Sequence, residues 1–282
     1  MSASVHPPGA PPPPRPAASQ YQGPSGRPPQ QGSPSRTRLL LAVGTVAVLA
    51  LAILVIAVVA GGHDGSKSSS AGPSVADAGP HAISAPLSGR EKAQFEITSG
   101  AESISIRSDD LGEDLYRIST PKDGRLVPKA IVNADGVQLS LVSSGATGAA
   151  TAEVVLSTKV LWTMKLAGGG MKETINFGSG KLAGLELGAG AGDIDIALPK
   201  AQGLLAVRLT GGAGSLKVHL PQGPPVQVKV GGAGAGVVTI DGQVKNGVKA
   251  GTEITPTGWA KAADRYSIEA VVGVSTLTVD RK

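Results

Sequence analysis

The 282-residue chain contains no cysteine. That excludes disulfides, thiolate metal sites and cysteine nucleophiles. Aromatic residues make up only 2%, so a core has to be built from Val, Ile, Leu and Ala and held by packing alone. No acidic residue occurs before Asp64, whereas Arg15, Arg27, Arg36 and Arg38 all do. No stretch after Ala60 has the 3.6-residue apolar period of an amphipathic helix; apolar residues recur at every second position instead. The net charge of +5 comes mostly from the four N-terminal arginines. The rest has no basic block of the kind that binds nucleic acid, which excludes that partner.

What is present divides the chain into segments. Residues 1–38 are rich in Pro, Gly, Ser and Gln, including the run Pro11-Pro12-Pro13-Pro14. Such a segment has too little apolar surface to offset its ordering entropy, which predicts a disordered tail with polyproline II character. Leu39 to Ala60 is an uncharged run of 22 residues. At about 1.5 Å per residue a helix of that length crosses a hydrocarbon core of about 30 Å. A secretory signal cleaved after Val58-Val59-Ala60 is the rival reading, but the run is longer than the usual apolar region of such signals. Arginines on one flank only predict a cytoplasmic N-terminus and an extracytoplasmic C-terminal part, in a single-pass protein of the cell membrane. Residues 61–90 are expected to be a flexible Ser/Gly/Ala/Pro linker, and residues 91–282 a β-repeat domain.

That domain carries a glycine-punctuated repeat. It reads Leu185-Glu-Leu-Gly-Ala-Gly-Ala-Gly-Asp-Ile-Asp-Ile-Ala-Leu-Pro199. It returns from Val207 to Pro221 and again from Val228 to Gly242. Leu187 aligns with Leu209 and Val230, and Ile196 with Val218 and Ile240. An earlier, degraded copy sets Ile175 and Phe177 against Ile194 and Ile196, with a corner loop two residues longer. A last copy is Ile268-Glu-Ala270 with Leu277-Thr-Val279. A fixed period of this length predicts stacked units. The expected fold is mainly β: a solenoid-like stack of strand–Gly loop–strand repeats in two packed sheets, consecutive units adjacent. Sheets about 10 Å apart suit aliphatic side chains better than aromatic ones. Glycines are expected to supply left-handed backbone at the corners. Outward residues Lys165, Glu186 and Arg208 alternate in sign along one ladder, and Asp195 faces Lys217 along another. Residues 243–265, with Trp259, interrupt the repeat and are expected to cap an open sheet end.

The runs Gly-x-Gly-x-Gly-Asp193-Ile-Asp-Ile and Gly-Gly-Ala-Gly-Ser-Leu-Lys-Val-His-Leu-Pro221, followed by Val-x-Val-x-Val230-Gly-Gly, resemble the bacterial toast-rack "putative adhesin" domains. These are related to the C-terminal domain of LiaF-type cell-envelope stress regulators. The resemblance implies a membrane-tethered β-rich domain that adheres or restrains an envelope-stress sensor, and it supplies no catalytic residues. LiaF-type proteins typically have several membrane helices; this chain has one apolar run.

Motifs for chemistry fail on inspection. Gly178-Ser-Gly180-Lys-Leu-Ala183 has the letters of a dinucleotide fingerprint, but no helix follows. The phosphate-loop reading lacks its Ser/Thr at Leu182. Calcium-binding nonapeptides need Asp at repeated positions, where Ser215 and Val237 stand instead. Asp193 and Asp195 read as solvated charges. His219 is the only histidine beyond the linker and is expected to be exposed beside Lys217. No catalytic residue, cofactor, metal or small-molecule substrate is therefore expected, and the chain reads as a non-enzymatic envelope-binding or regulatory protein. The alternative is a surface adhesin or structural envelope protein. A partner protein or cell-wall polymer is expected at Glu186, Arg208 and Lys229, or near Trp259.

Overall fold

The computed structural model describes residues 81–282. The expected tail, the apolar run at 39–60 and residues 61–80 of the expected linker lie outside the described residues. Among the described residues no helix is long and apolar enough to cross a membrane. In chain order the first strands are β1 (Ala82–Pro86), β2 (Lys92–Ile97), β3 (Ala101–Asp109), β4 (Asp114–Ser119), β5 (Leu126–Val132), β6 (Gly136–Ser143) and β7 (Thr151–Ser157). The central ones are β8 (Leu161–Leu166), β9 (Gly170–Asn176), β10 (Lys181–Leu187), β11 (Ala191–Ala197), β12 (Leu204–Leu209) and β13 (Ala213–Leu220). They are followed by β14 (Val226–Val230), β15 (Ala235–Ile240), β16 (Gln243–Val248) and β17 (Thr252–Ile254). A 3-10 turn at Trp259–Lys261 then leads to β18 (Arg265–Ala270) and β19 (Val274–Arg281). β1 lies inside the stretch expected as linker. Its five residues, the last of them Pro86, carry too short an alternation to read as a strand.

Each repeat contributes its first strand to a nine-stranded sheet and its second to a ten-stranded sheet. Neighbouring repeats pair in parallel, with Leu187 opposite Leu209 and Ile196 opposite Val218. Period-two alternation turns Leu, Ile and Val inward from both sheets. Leu187, Leu209, Ile196 and Val218 are all buried in one continuous core.

The order of stacking corrects the expectation of consecutive neighbours. The nine-stranded sheet runs β17-β14-β18-β12-β10-β8-β2-β6-β5. Ala270 of β18 lies between Leu209 and Val230, and Val279 of β19 between Val218 and Ile240. The pair β18/β19 therefore occupies a slot between β12/β13 and β14/β15. At the other end β2/β3 is likewise inserted between β6/β7 and β8/β9. Excursions in the chain close both ends with antiparallel strands: β4 on β7 and β5 on β6, then β16 on β15 and β17 on β14. β1 pairs with β4 and forms the outer edge of the ten-stranded sheet.

Three local expectations also change. Ile175 stands opposite Ile196, not Ile194, so the corner before β9 is not lengthened; Glu173 takes the inward place that Ile194 has in β11. Aromatics do enter the core. Phe95, Trp162, Phe177 and Tyr266 are fully buried, with Phe95 edge-on to Trp162 at 6.2 Å. The indole N–H of Trp162 donates to the Ser157 carbonyl at 2.9 Å, which satisfies its polar group inside the core. Finally, only Gly232 and Gly234, among the corner glycines of the three best copies, have positive φ. The others are needed for space: a Cβ on Gly211 would sit 2.2 Å from the backbone of Ala189 in the next corner.

Candidate functional site

The outer face of the nine-stranded sheet carries one charge on each of seven strands along a straight ladder. Register sets Glu96 beside Lys165, then Glu186, Arg208, Glu269, Lys229 and Glu253 in turn. The signs alternate across seven strands. Lys165 Nζ is 3.3 Å from Glu96, Arg208 Nε 3.1 Å from Glu269 and Lys229 Nζ 3.3 Å from Glu253. Glu186 stands between Lys165 and Arg208 with no ion-pair contact among the described residues. The Thr255 hydroxyl, and after it Lys229, hold the Glu253 carboxyl below the usual carboxylate range. These side chains are close to half exposed, so the pairs add little to stability and leave their charges open to a partner.

Glu186, Arg208 and Lys229 thus share one ladder, as the spacing predicts for the first two. Trp259 does not join them. It lies in the turn before β18, its indole donating to the Tyr266 carbonyl at 2.8 Å, with the Arg265 guanidinium 5.2 Å from its ring centre. Arg265 and Glu269 are four residues apart on one strand, about 13 Å at ordinary strand rise. Trp259 therefore marks the opposite end of the strands from the ladder.

On the ten-stranded sheet His219 projects outward from β13 but is not freely exposed. Its ring is wedged between Asp280, 2.6 Å from Nδ1, and Asp195, 3.2 Å from Nε2. The side chain is only 12% exposed. The sequence pairs Asp195 with Lys217 but gives no sign that β19 brings Asp280 to the other side of the ring, since that depends on the inserted β18/β19 pair. Both ring nitrogens are engaged by carboxylates, which leaves neither free to serve as a base toward a nucleophile or as a metal ligand. Among the described residues no group of three or more His, Asp or Glu side chains is arranged to hold a metal ion.

Glu173 is the functional-type residue that the repeat alignment missed. It is 2% exposed, between Ile104 and Ile194 in register, with no hydrogen-bond or ion-pair partner among the described residues. Burial pushes its carboxyl up to about 7. Extending the 21-residue offset of the strand before the corner into β9 would have placed it inward.

No family profile and no curated protein matches the chain. Among solved structures, that of "a putative cell adhesion protein" from Clostridium sporogenes ATCC 15579 superposes with a TM-score of 0.52 at 17% identity. The match covers 75% of this chain and 100% of that one. A "putative adhesin" from Bacteroides fragilis NCTC 9343 matches over 71% of this chain and 98% of its own, at 12% identity and a TM-score of 0.29. The double-sheet repeat stack is therefore a fold shared with the clostridial protein.

Proposed function

We propose that this chain is a membrane-tethered, non-enzymatic binding protein of the cell surface. Its repeat domain adheres to an envelope protein or cell-wall polymer through the outer face of the nine-stranded sheet. One observation carries the reading: the alternating ladder from Glu96 to Glu253 forms an extended, regular and half-exposed array across seven strands. A stack of repeats offers the same strand position many times along one face, which suits a long or repetitive ligand. The fold shared with the "putative cell adhesion protein" of Clostridium sporogenes supports adhesion over regulation, and the engagement of both His219 nitrogens argues against acid–base chemistry. The tether is the apolar run 39–60, oriented by the arginines before it.

The test is crosslinking and pull-down of the intact protein from cells, with wild type compared to the triple variant Glu186→Gln, Arg208→Gln, Lys229→Gln. Capture of the partner should fall at least about tenfold while the melting temperature changes by a few degrees at most. Unchanged capture would remove the ladder from the binding surface. Loss on Trp259→Ala alone would move the site to the other end of the strands. Recovery of a sensor kinase as the main partner would favour the regulatory role implied by the resemblance to LiaF-type proteins.

A further inference from the structure

At the N-terminal end of the stack β1 and β5 form the outer edges of the two sheets and lie against each other. An apolar cleft of about 970 Å³ opens between the two edge strands β1 and β5. Ile83 and Tyr116 line one wall, and Pro128, Ile131 and Val132 the other. Ile131 is 64% exposed and Val132 41%, large values for apolar side chains beside a cleft. Strand addition does not explain the site. β1 ends in Pro86 and β5 carries Pro128, and proline has no N–H for a ladder. An occupant is therefore held by apolar side chains and by the rim.

The rim is cationic. Arg90 and Lys129 line the mouth, and no acidic residue does. Arg90 is fixed by donating to the carbonyls of Ala134, at 3.1 Å, and Asn133, at 2.5 Å. Neither Arg90 nor Lys129 forms an ion pair among the described residues. Neutral carbonyls orient Arg90 without cancelling its charge. An apolar cleft with two uncompensated cations at its mouth is complementary to a chain with an anionic head.

The way the chain enters the domain supplies the source of that ligand. His81 is pinned beside β4, its carbonyl accepting from the Thr120 N–H at 2.8 Å and its ring 3.0 Å from the Thr120 hydroxyl. Ile83 of the cleft wall follows two residues later. Only residues 61–80 separate the apolar run from this point, and a stretch of that length reaches at most about 70 Å even when fully extended. On the membrane-tethered reading, the cleft is within reach of the bilayer at high effective concentration. We propose that the cleft between β1 and β5 docks the domain on the bilayer it emerges from, by taking up anionic membrane lipid: acyl chain against Ile131 and Val132, headgroup against Arg90 and Lys129. The inference rests on the membrane-tethered reading above.

The absence of cysteine makes the test direct. Full-length protein carrying Ile131→Cys, with an environment-sensitive fluorophore, is placed in nanodiscs whose lipids bear a chain-borne quencher. The control label is Val244→Cys, on β16 at the far edge of the same stack. Discs with about one third phosphatidylglycerol should quench the label at 131 at least about threefold more than that at 244. Pure phosphatidylcholine should not. Lys129→Glu, at a side chain without a hydrogen-bond partner among the described residues, should abolish the difference, and Arg90→Gln should reduce it. Absence of quenching, equal quenching in both lipids, or insensitivity to Lys129→Glu would each overturn the proposal. So would lipid-independent shielding that rises with protein concentration, which would make a second copy the occupant. The tether is read separately. A chain that elutes apart from its discs fails the anchoring, and sedimentation of the same labelled chain with anionic vesicles then decides the docking alone.

Discussion

Glu173 occupies, on β9, the inward place held by isoleucine on the strands to either side. An ionised carboxylate there has no counter-charge to offset its lost hydration, so the neutral form is favoured and its pKa rises from 4.5 to about 7. A carboxyl raised in the folded state is harmless where both states are protonated, below about pH 4.5. Between about pH 4.5 and 7 the unfolded chain ionises first, and stability falls as pH rises. The rise from 4.5 to about 7 corresponds to about 3 kcal/mol, fully lost above pH 7. Denaturant unfolding of wild type and Glu173→Gln across this range should give curves that separate as pH rises, the variant being the more stable at pH 8. Parallel curves would mean that the carboxyl has a partner or reaches water. This residue was hidden in the sequence for a physical reason: a glutamate between two polar neighbours breaks the alternation that marks a buried position. Arg208 and Glu186 were legible because their strands keep that alternation intact. The Asp280 contact to His219 was not, since it depends on which strands are neighbours.

At the scale of the strands and their corners, the pattern specifies each repeat well and their order poorly. All repeats present similar aliphatic interiors and parallel edges, so burial alone does not select one neighbour over another. The outward charges do discriminate. Consecutive stacking would set Arg208 beside Lys229; inserting β18 puts Glu269 between them. At the other end, inserting β2 sets Glu96 beside Lys165 instead of leaving Gln138 there. Like charges directly opposite one another destabilise by a few tenths of a kcal/mol to about 1 kcal/mol, which is enough to bias a choice between otherwise equal registers. Tyr266 adds a specific lock. From β18 its hydroxyl donates to the Pro199 carbonyl at 2.9 Å and accepts from the Ala201 N–H at 3.0 Å, in the loop that leads to β12. The corners impose a different constraint. Gly211→Ala would drive a methyl group to 2.2 Å from the Ala189 backbone, and overpacking of this kind costs about 1–3 kcal/mol or more. Gly184→Ala meets only the Ala206 carbonyl at 3.7 Å and should be neutral or slightly stabilising. Equal effects in chemical denaturation would show that the corners yield more readily than their geometry implies.

For the whole molecule, the inserted pair makes the stack unlike an open-ended solenoid. Removing a terminal repeat from a simple array shortens it and leaves the remainder folded. Here deletion of residues 265–282 removes β18 and β19 from the interior of the stack. It uncovers the facing edges of β12 and β14, and of β13 and β15. The apolar side chains Tyr266, Ile268, Leu277 and Val279 leave with them, each fully buried in the intact domain. The truncated chain should lose cooperative unfolding and bind a hydrophobic dye, as measured by calorimetry and dye fluorescence. A sharp transition at a modestly lower temperature would mean that β14/β15 can close directly on β12/β13.

The position of β18/β19 also sets a schedule for biogenesis. A chain made from its N-terminus delivers β14 and β15 before the two strands that belong inside them. Until Ala270 and Val279 have appeared, the slots between Leu209 and Val230 and between Val218 and Ile240 are empty and their aliphatic walls have no partner. The late strands thus work as a keystone. Their arrival fills both sheets of the stack at once, and it comes only after nearly all of the described chain has been synthesised. Under the membrane-tethered reading proposed above, such timing would keep the polypeptide translocatable until its last strands emerge.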